Sequence, residues 1–187
     1  MRASFAIVCV AVAVLATVPQ AQAGEEGDKW RFEDGRWRVE LSGFGATYSG
    51  KTSRGGDSLF TASVEYEWPI FARVALGLRA YPLFCYHQHD PQSDIWGAGG
   101  GIAGRIYQHK GTLDGWYGEA AASAIWQSDS IEKNSSRVNF LTEPGVGYEF
   151  PDTNWHAALK VHHLSNAGLG SENTGTNGLG LSVGYRF

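Results

Sequence analysis

Asn177-Gly-Leu-Gly-Leu-Ser-Val-Gly-Tyr-Arg-Phe187 alternates without a break. Leu179, Leu181, Val183, Tyr185 and Phe187 fall on one face, and Gly178, Gly180, Ser182, Gly184 and Arg186 on the other. Successive side chains of a strand point to opposite faces, so one side is apolar and the other small or charged. Lipid outside and a polar interior is the pattern of a transmembrane barrel strand. A buried sandwich strand alternates too, but nothing about it requires an aromatic at its last position.

The same period recurs upstream. Trp37–Tyr48 sets Val39 and Leu41 against Arg38, Glu40 and Ser42. Phe60–Trp68 is the cleanest, with Phe60, Ala62, Val64, Tyr66 and Trp68 opposite Thr61, Ser63, Glu65 and Glu67. Val74–Tyr86 puts Leu76, Leu78 and Phe84 opposite Arg79 and Tyr81, and Trp96–Tyr107 puts Ile102 and Ile106 opposite Arg105. Trp116–Trp126 carries a Trp at each end of one face, as two interfacial girdles require. Val138–Phe150 and Trp155–Ser165 complete the set. The expectation is an all-β, eight-stranded antiparallel outer-membrane barrel. Polar segments at 50–58, 87–95, 127–137 and 166–176 would face out of the cell, and shorter ones at 69–73, 108–115 and 151–154 would be periplasmic turns. Inward positions collect Glu40, Glu65, Glu67, Arg79, Arg105, Glu119, Glu143, Glu149, Lys160 and Arg186. Eight strands enclose a space that side chains fill, so this interior reads as structural.

Composition agrees. The chain of 187 residues carries 7 Trp, 8 Tyr and 25 Gly. Residues 1–23 read as a signal peptide: Arg2, an apolar run from Phe5 to Val18, and Ala21-Gln22-Ala23 before Gly24. That leaves 24–187 as a single barrel domain. No later apolar run approaches the ~18 residues of a spanning helix. Net charge is −4, which becomes −5 when Arg2 leaves with the leader, against the basic footprint of a nucleic-acid binder. Of the two cysteines Cys9 departs with the leader, so Cys85 has no intrachain partner.

Several motifs lack the context their chemistry needs. Gly99-x-Gly101-x-x-Gly104 has no following helix and no βαβ unit, so it is not a dinucleotide fingerprint. Gly180-Leu-Ser182-Val-Gly184 is mid-strand, whereas a nucleophile elbow needs a strand–turn–helix, and its glycines read as making room in the interior. His87-x-His89 with Asp90 and Asp94 fits no specific zinc spacing and reads as a solvated loop.

Val161-His162-His163-Leu164-Ser165-Asn166 is different. Parity places Trp155, Ala157, Leu159, Val161, His163 and Ser165 on one face, and His156, Ala158, Lys160 and His162 on the other. The uncharged face with Trp, Leu and Val is the lipid side. His163 and Ser165 therefore point into the membrane near its outer edge, where polar groups without partners are costly and ionisable ones are functional suspects. Residues i and i+2 on a strand are ~6.8 Å apart at Cα, within reach of an imidazole–hydroxyl contact. A Ser–His pair is what ester cleavage needs, the imidazole taking the hydroxyl proton and later protonating the leaving alcohol. The alternative is that both are polar anchors at the headgroup level.

The run His163-Leu-Ser165-Asn166-Ala-Gly168, followed by Asn173-x-Gly175, closely resembles the PagL-type lipid A 3-O-deacylase (acyloxyacyl hydrolase) family. The resemblance implies a barrel that hydrolyses the ester-linked 3-O-acyl chain of lipid A in lipopolysaccharide, without metal or organic cofactor. It implies Ser165 as nucleophile, His163 as general base, and Asn166, Gly168 and Asn173 at the oxyanion and substrate. The terminal Tyr-Arg-Phe187 resembles the signal read by the barrel-assembly machinery. Where the family has a triad Glu, this chain has Asn177, on the lipid face of the last strand. Loss of the carboxylate in a serine protease costs about 10⁴ in turnover, roughly 5 kcal/mol of barrier. Papain-like enzymes nevertheless run on Cys-His-Asn, an outer-membrane phospholipase family on Ser-His-Asn, and a neutral amide is cheaper to turn toward lipid than a carboxylate. Phospholipase activity and an inactive recognition barrel are the alternatives.

Overall fold

The computed structural model describes residues 35–48, 54–111 and 113–187. The expected leader lies outside the described residues, as does part of the first outer loop. The described strands are β1 (Arg36–Tyr48), β2 (Ser58–Phe71), β3 (Val74–Gln88), β4 (Ser93–Tyr107), β5 (Gly115–Gln127), β6 (Val138–Thr142), β7 (Gly145–Glu149), β8 (Trp155–Ser165) and β9 (Thr176–Arg186). All pairings are antiparallel. β1 to β5 pair in sequence order, β6 and β7 each pair with β5 and β8, β8 pairs with β9, and β9 returns to β1, so the sheet closes on itself. At the closing seam the Trp37 N–H donates to the Phe187 carbonyl at 3.1 Å and the Phe187 N–H to the Trp37 carbonyl at 3.0 Å.

β6 and β7 are one rung with a break. β5 pairs Ala122 with Thr142 and Glu119 with Gly145, and β8 pairs His163 with Thr142 and Lys160 with Gly145, so no residue is gained or lost across the gap. The break is Glu143-Pro144. Glu143 still exchanges both backbone bonds with Ala121, and the Val161 N–H donates to the Pro144 carbonyl at 2.9 Å. Proline has no N–H to return, so the Val161 carbonyl receives no ladder donor there. The expected eight rungs are present.

Parity holds along the wall with one correction. Phe84, expected on the lipid face, is fully buried inside. β3 carries an extra residue against both neighbours: Ala62↔Leu83 gives way to Val64↔Ala80, and Tyr81↔Gly99 to Phe84↔Gly97. A one-residue bulge reverses the facing of everything beyond it. Pro69 is a second correction. It lies in the ladder opposite Ala75 rather than in the turn, which shrinks to Ala72-Arg73. Among the described residues β1 pairs with β2 from Arg36↔Glu67, so Pro69 stands past the last described rung on that side, and a strand edge is where proline is tolerated.

The lumen is packed and charge-paired. Arg105 binds Glu65, Glu67 (3.3 Å) and Glu119 (2.9 Å), and Arg79 binds Glu65 at 2.6 Å and Glu143 at 3.4 Å. Lys160 sits 2.5 Å from both Glu40 and Glu119. Arg38 pairs with Glu149 and Glu67, while Arg36 and Arg186 pair with Glu67 and Glu149 toward the periplasmic end. The last strand's glycines make this packing possible. A Cβ at Gly180 would stand 2.3 Å from Phe44, and one at Gly184 2.3 Å from His156. Ser182 is 2.8 Å from Ser42, an ordinary interior contact. Outside, Trp37–Tyr66, Trp116–Tyr148 and Trp155–Tyr185 form edge-on pairs around the periplasmic end, and exposed Trp96 and Trp126 mark the other end.

Candidate active site

β8 delivers His163 and Ser165 to the outer wall, both partly exposed, while its alternate residues His156, Lys160 and His162 are wholly buried in the lumen. β9 pairs with β8 so that Asn177 lies directly opposite His163. Cross-strand neighbours share a face, so the register alone brings a third polar group to the imidazole. His163 Nδ1 is 2.8 Å from Asn177 Oδ1, and His163 Nε2 is 3.2 Å from Ser165 Oγ. An amide oxygen only accepts, so the ring proton sits on Nδ1. Nε2 is thereby left as an acceptor facing the hydroxyl. His162 faces inward against Phe44, its Nε2 3.5 Å from the Thr176 hydroxyl.

The chain after Ser165 is shaped by Asn166. Its carbonyl accepts the Leu169 N–H at 3.0 Å across a turn with Ala167 at φ 52° and Gly168 at φ 87°. Left-handed backbone at a non-glycine such as Ala167 is uncommon and persists where the surroundings over-determine it. Here they do. The Asn166 backbone N–H donates to Asn173 Oδ1 at 3.0 Å, and the Gly168 N–H donates to Asn166 Oδ1 at 2.9 Å. Both hydrogens of Asn166 Nδ2 are committed, to Asn134 Oδ1 and to the Glu172 carbonyl, each at 2.8 Å.

Two contributors, Asn134 and Thr142, escaped the sequence reading. Asn134, in the loop between β5 and β6, begins a buried chain of amides: its Nδ2 donates to Asn139 Oδ1, whose own Nδ2 donates to Gln127 Oε1, each at 2.7 Å. This line anchors the turn beside Ser165 to a neighbouring loop. Gly175 crosses above the imidazole, where a Cβ would stand 3.0 Å from His163 Cε1 and 3.2 Å from Ser165 Cβ. Thr142 pairs with His163 from the other side, on β6, just as Phe140 pairs with Ser165. Glu172, the acid nearest in sequence, is exposed and contributes through its backbone. Of the other histidines, His87 lies in β3 rather than in the expected loop and bonds its cross-strand partner Asp94 of β4 at 2.7 Å, and His109 bonds Asp114 at 3.0 Å.

A His–Ser–Asn line on the lipid face of a closed barrel thus stands where the sequence placed it. A family model described as "Lipid A 3-O-deacylase (PagL)" matches residues 25–186. The chain belongs to the lipid A 3-O-deacylase (PagL) family. It is an outer-membrane β-barrel, as that family is. Among solved structures it is similar to the outer membrane enzyme PagL, with a TM-score of 0.62 and 17% identity over 79% of this chain and 98% of that one. It is also similar to Neisserial surface protein A (NspA), with a TM-score of 0.52 and 13% identity over 81% and 97% of the two chains. At those identities the likeness shows the fold. No curated protein sequence matches the chain.

Proposed function

We propose that this PagL-family barrel removes the 3-O-acyl chain of lipid A through Ser165, His163 and Asn177. The observation that carries the reading is the pair of contacts at His163, 2.8 Å to Asn177 Oδ1 and 3.2 Å to Ser165 Oγ, on the wall that faces lipid. His163 Nε2 takes the Ser165 proton as Oγ attacks the ester carbonyl, and Asn177 holds the ring in the tautomer this requires. The tetrahedral oxyanion then collapses. The sugar hydroxyl leaves with the proton from Nε2, and the acyl group stays on Ser165. Water, deprotonated by the same nitrogen, releases the fatty acid and restores the enzyme. Oxyanion stabilisation falls to the turn after Ser165. Gly168 supplies an N–H that exchanges Asn166 Oδ1 for the oxyanion, while Asn166 and Asn173 hold the turn in place.

The test is the mass spectrum of lipid A from cells making the parent chain or Ser165→Ala. Loss of one 3-O-linked acyl chain with the parent alone is expected. Lysophospholipid formation without a change in lipid A would make the barrel a phospholipase. No change in either lipid, with the barrel folded, would make it a recognition or structural protein.

A further inference from the structure

The far side of the wall carries another serine, histidine and acid in one line. Near the outer end of β3, His87 has Ser58 of β2 opposite it on one side and Asp94 of β4 on the other. All three face outward, because Leu59, Tyr86 and Ile95 beside them in sequence are buried in the lumen. His87 Nδ1 is 2.7 Å from Asp94 Oδ1. An ionised carboxylate only accepts, so the ring proton sits on Nδ1 and leaves Nε2 as an acceptor. Directly opposed residues have Cβ atoms ~4.5–5.5 Å apart, so a side-chain rotation brings the Ser58 hydroxyl to that nitrogen. Such contacts often tighten only when substrate binds. With β6 and β7 as one rung, β3 is third of eight and β8 seventh, so His87 and His163 stand on opposite sides of the barrel.

Ser58 follows a turn that is held in place. The buried Asp57 carboxylate accepts the Tyr86 hydroxyl at 2.7 Å and the His89 N–H at 2.8 Å. The Asp57 N–H closes the turn onto the Arg54 carbonyl at 3.0 Å, across Gly56 at φ 96°. Each serine thus adjoins a buried polar side chain that ties its turn to another loop, Asn166 for Ser165 and Asp57 for Ser58. The level differs. Two positions nearer the membrane on the same face lies the row Phe60, Cys85 and Trp96, and Trp96 marks the outer girdle. The Ser58 row is on the water side of it, with the His87 and Asp94 side chains 37% and 56% exposed. Water there solvates a carboxylate that lipid would not.

We infer that Ser58, His87 and Asp94 form a second hydrolytic site, which cleaves short-chain esters such as acetyl esters presented from the aqueous side. His87 Nε2 takes the Ser58 proton as Oγ bonds to the ester carbonyl carbon. The carbon–alkoxy bond then breaks, and the alcohol leaves with the proton from Nε2. Water, deprotonated by Nε2, adds to the acyl carbon; the bond to Oγ breaks, Oγ regains the proton, and the carboxylic acid departs. Asp94 is a positioning residue that fixes the ring tautomer. The acyl group is short because only one apolar row lies between this line and the bilayer. The site stands independently of Ser165.

The test uses the full-length barrel in detergent micelles, with circular dichroism to confirm folding. A fluorophosphonate, which labels activated serines, should mark Ser58 as well as Ser165 in peptide mass spectra. In Ser165→Ala, hydrolysis of para-nitrophenyl acetate should continue, and a further Ser58→Ala should bring it to the rate of the detergent blank. Added to Ser165→Ala, His87→Ala should lower that rate and the labelling of Ser58 about a hundredfold, the share of a general base. Asp94→Asn should lower kcat by a smaller factor and leave KM unchanged. Ser58 unlabelled in a folded barrel, or labelled equally in His87→Ala, would overturn the second site. So would loss of all acetate hydrolysis in Ser165→Ala, which would assign the activity to β8 alone. Ser58 labelled with Ser165 unmarked would support this site and count against the one on β8.

Discussion

The lumen and the outer wall both hold polar groups away from bulk water, and they do so by opposite means. Inside, six glutamates (Glu40, Glu65, Glu67, Glu119, Glu143 and Glu149) are matched by Arg38, Arg79, Arg105 and Lys160, with Arg36 and Arg186 toward one end. Outside, the site is an imidazole, a hydroxyl and an amide, joined by two neutral hydrogen bonds. A charge is bearable only where opposite charges surround it on several sides. The lumen, walled by a closed sheet, offers that company. The lipid face offers partners only along the wall, and a neutral amide in place of an acid is the third partner that such a face carries at least cost. The inside trades in ion pairs that share partners. The outside trades in tautomers and needs an approach for substrate.

The comparison can be broken at several points. His163→Ala removes the only base in the line. Turnover is expected to fall by an order approaching 10⁶, as when the base of a serine protease is removed, or about 8 kcal/mol of barrier. The barrel should still form, and lipid A mass spectra with circular dichroism would read both. Arg105→Met does the reverse. It takes one cation from each of Glu65, Glu67 and Glu119, which keep Arg79, Arg38 and Lys160, and should cost about 3 kcal/mol of stability in urea unfolding from lipid vesicles. Hydrolysis per folded molecule should change little. Asn134→Ala bridges the two regions, because it cuts the buried amide line and removes one of the two acceptors of Asn166 Nδ2. It should destabilise the barrel by about 1–3 kcal/mol and lower kcat by about tenfold through the misplaced turn. A stability loss with unchanged kcat would confine Asn134 to the loop. Asn177→Glu is the mildest and sharpens the comparison most. If position 177 serves to accept the His163 proton, the variant should equal the parent rate or exceed it by up to about tenfold. Collapse of activity in a folded barrel would give the amide a role of its own.

The sequence disclosed those parts of the molecule that depend on two-residue periodicity. Lipid outside and charge inside wrote the facing of each strand directly into residue type. Once β8 and β9 were neighbours, parity alone put Ser165, His163 and Asn177 on one side. Phe84 was misplaced because the bulge at the middle of β3 adds a residue without any compositional mark, so a correct alternation was carried past the point where it reversed. Pro69 misled for a related reason: its tolerance depends on where the adjacent strand begins, which is a fact about another part of the chain. Asn134 was out of reach because its meaning lies in a contact with Asn166, in a loop far away in sequence. Thr142 resembled any strand threonine until the pairing of β6 with β8 set it opposite His163.

The seam between β1 and β9 bears on how the molecule comes into being. Residues 37 and 187 grip each other through a reciprocal pair of backbone bonds, so the first hairpin keeps an open edge until the last strand arrives. Contacts between the far ends of a chain are slow to form, and an unpaired edge within hydrocarbon is not tolerated. Translation therefore yields no partial barrel able to rest in a bilayer. The polypeptide must be carried as a whole, kept from sticking to its fellows, and zipped shut in one event, with Asn177 reaching His163 only as that last strand docks.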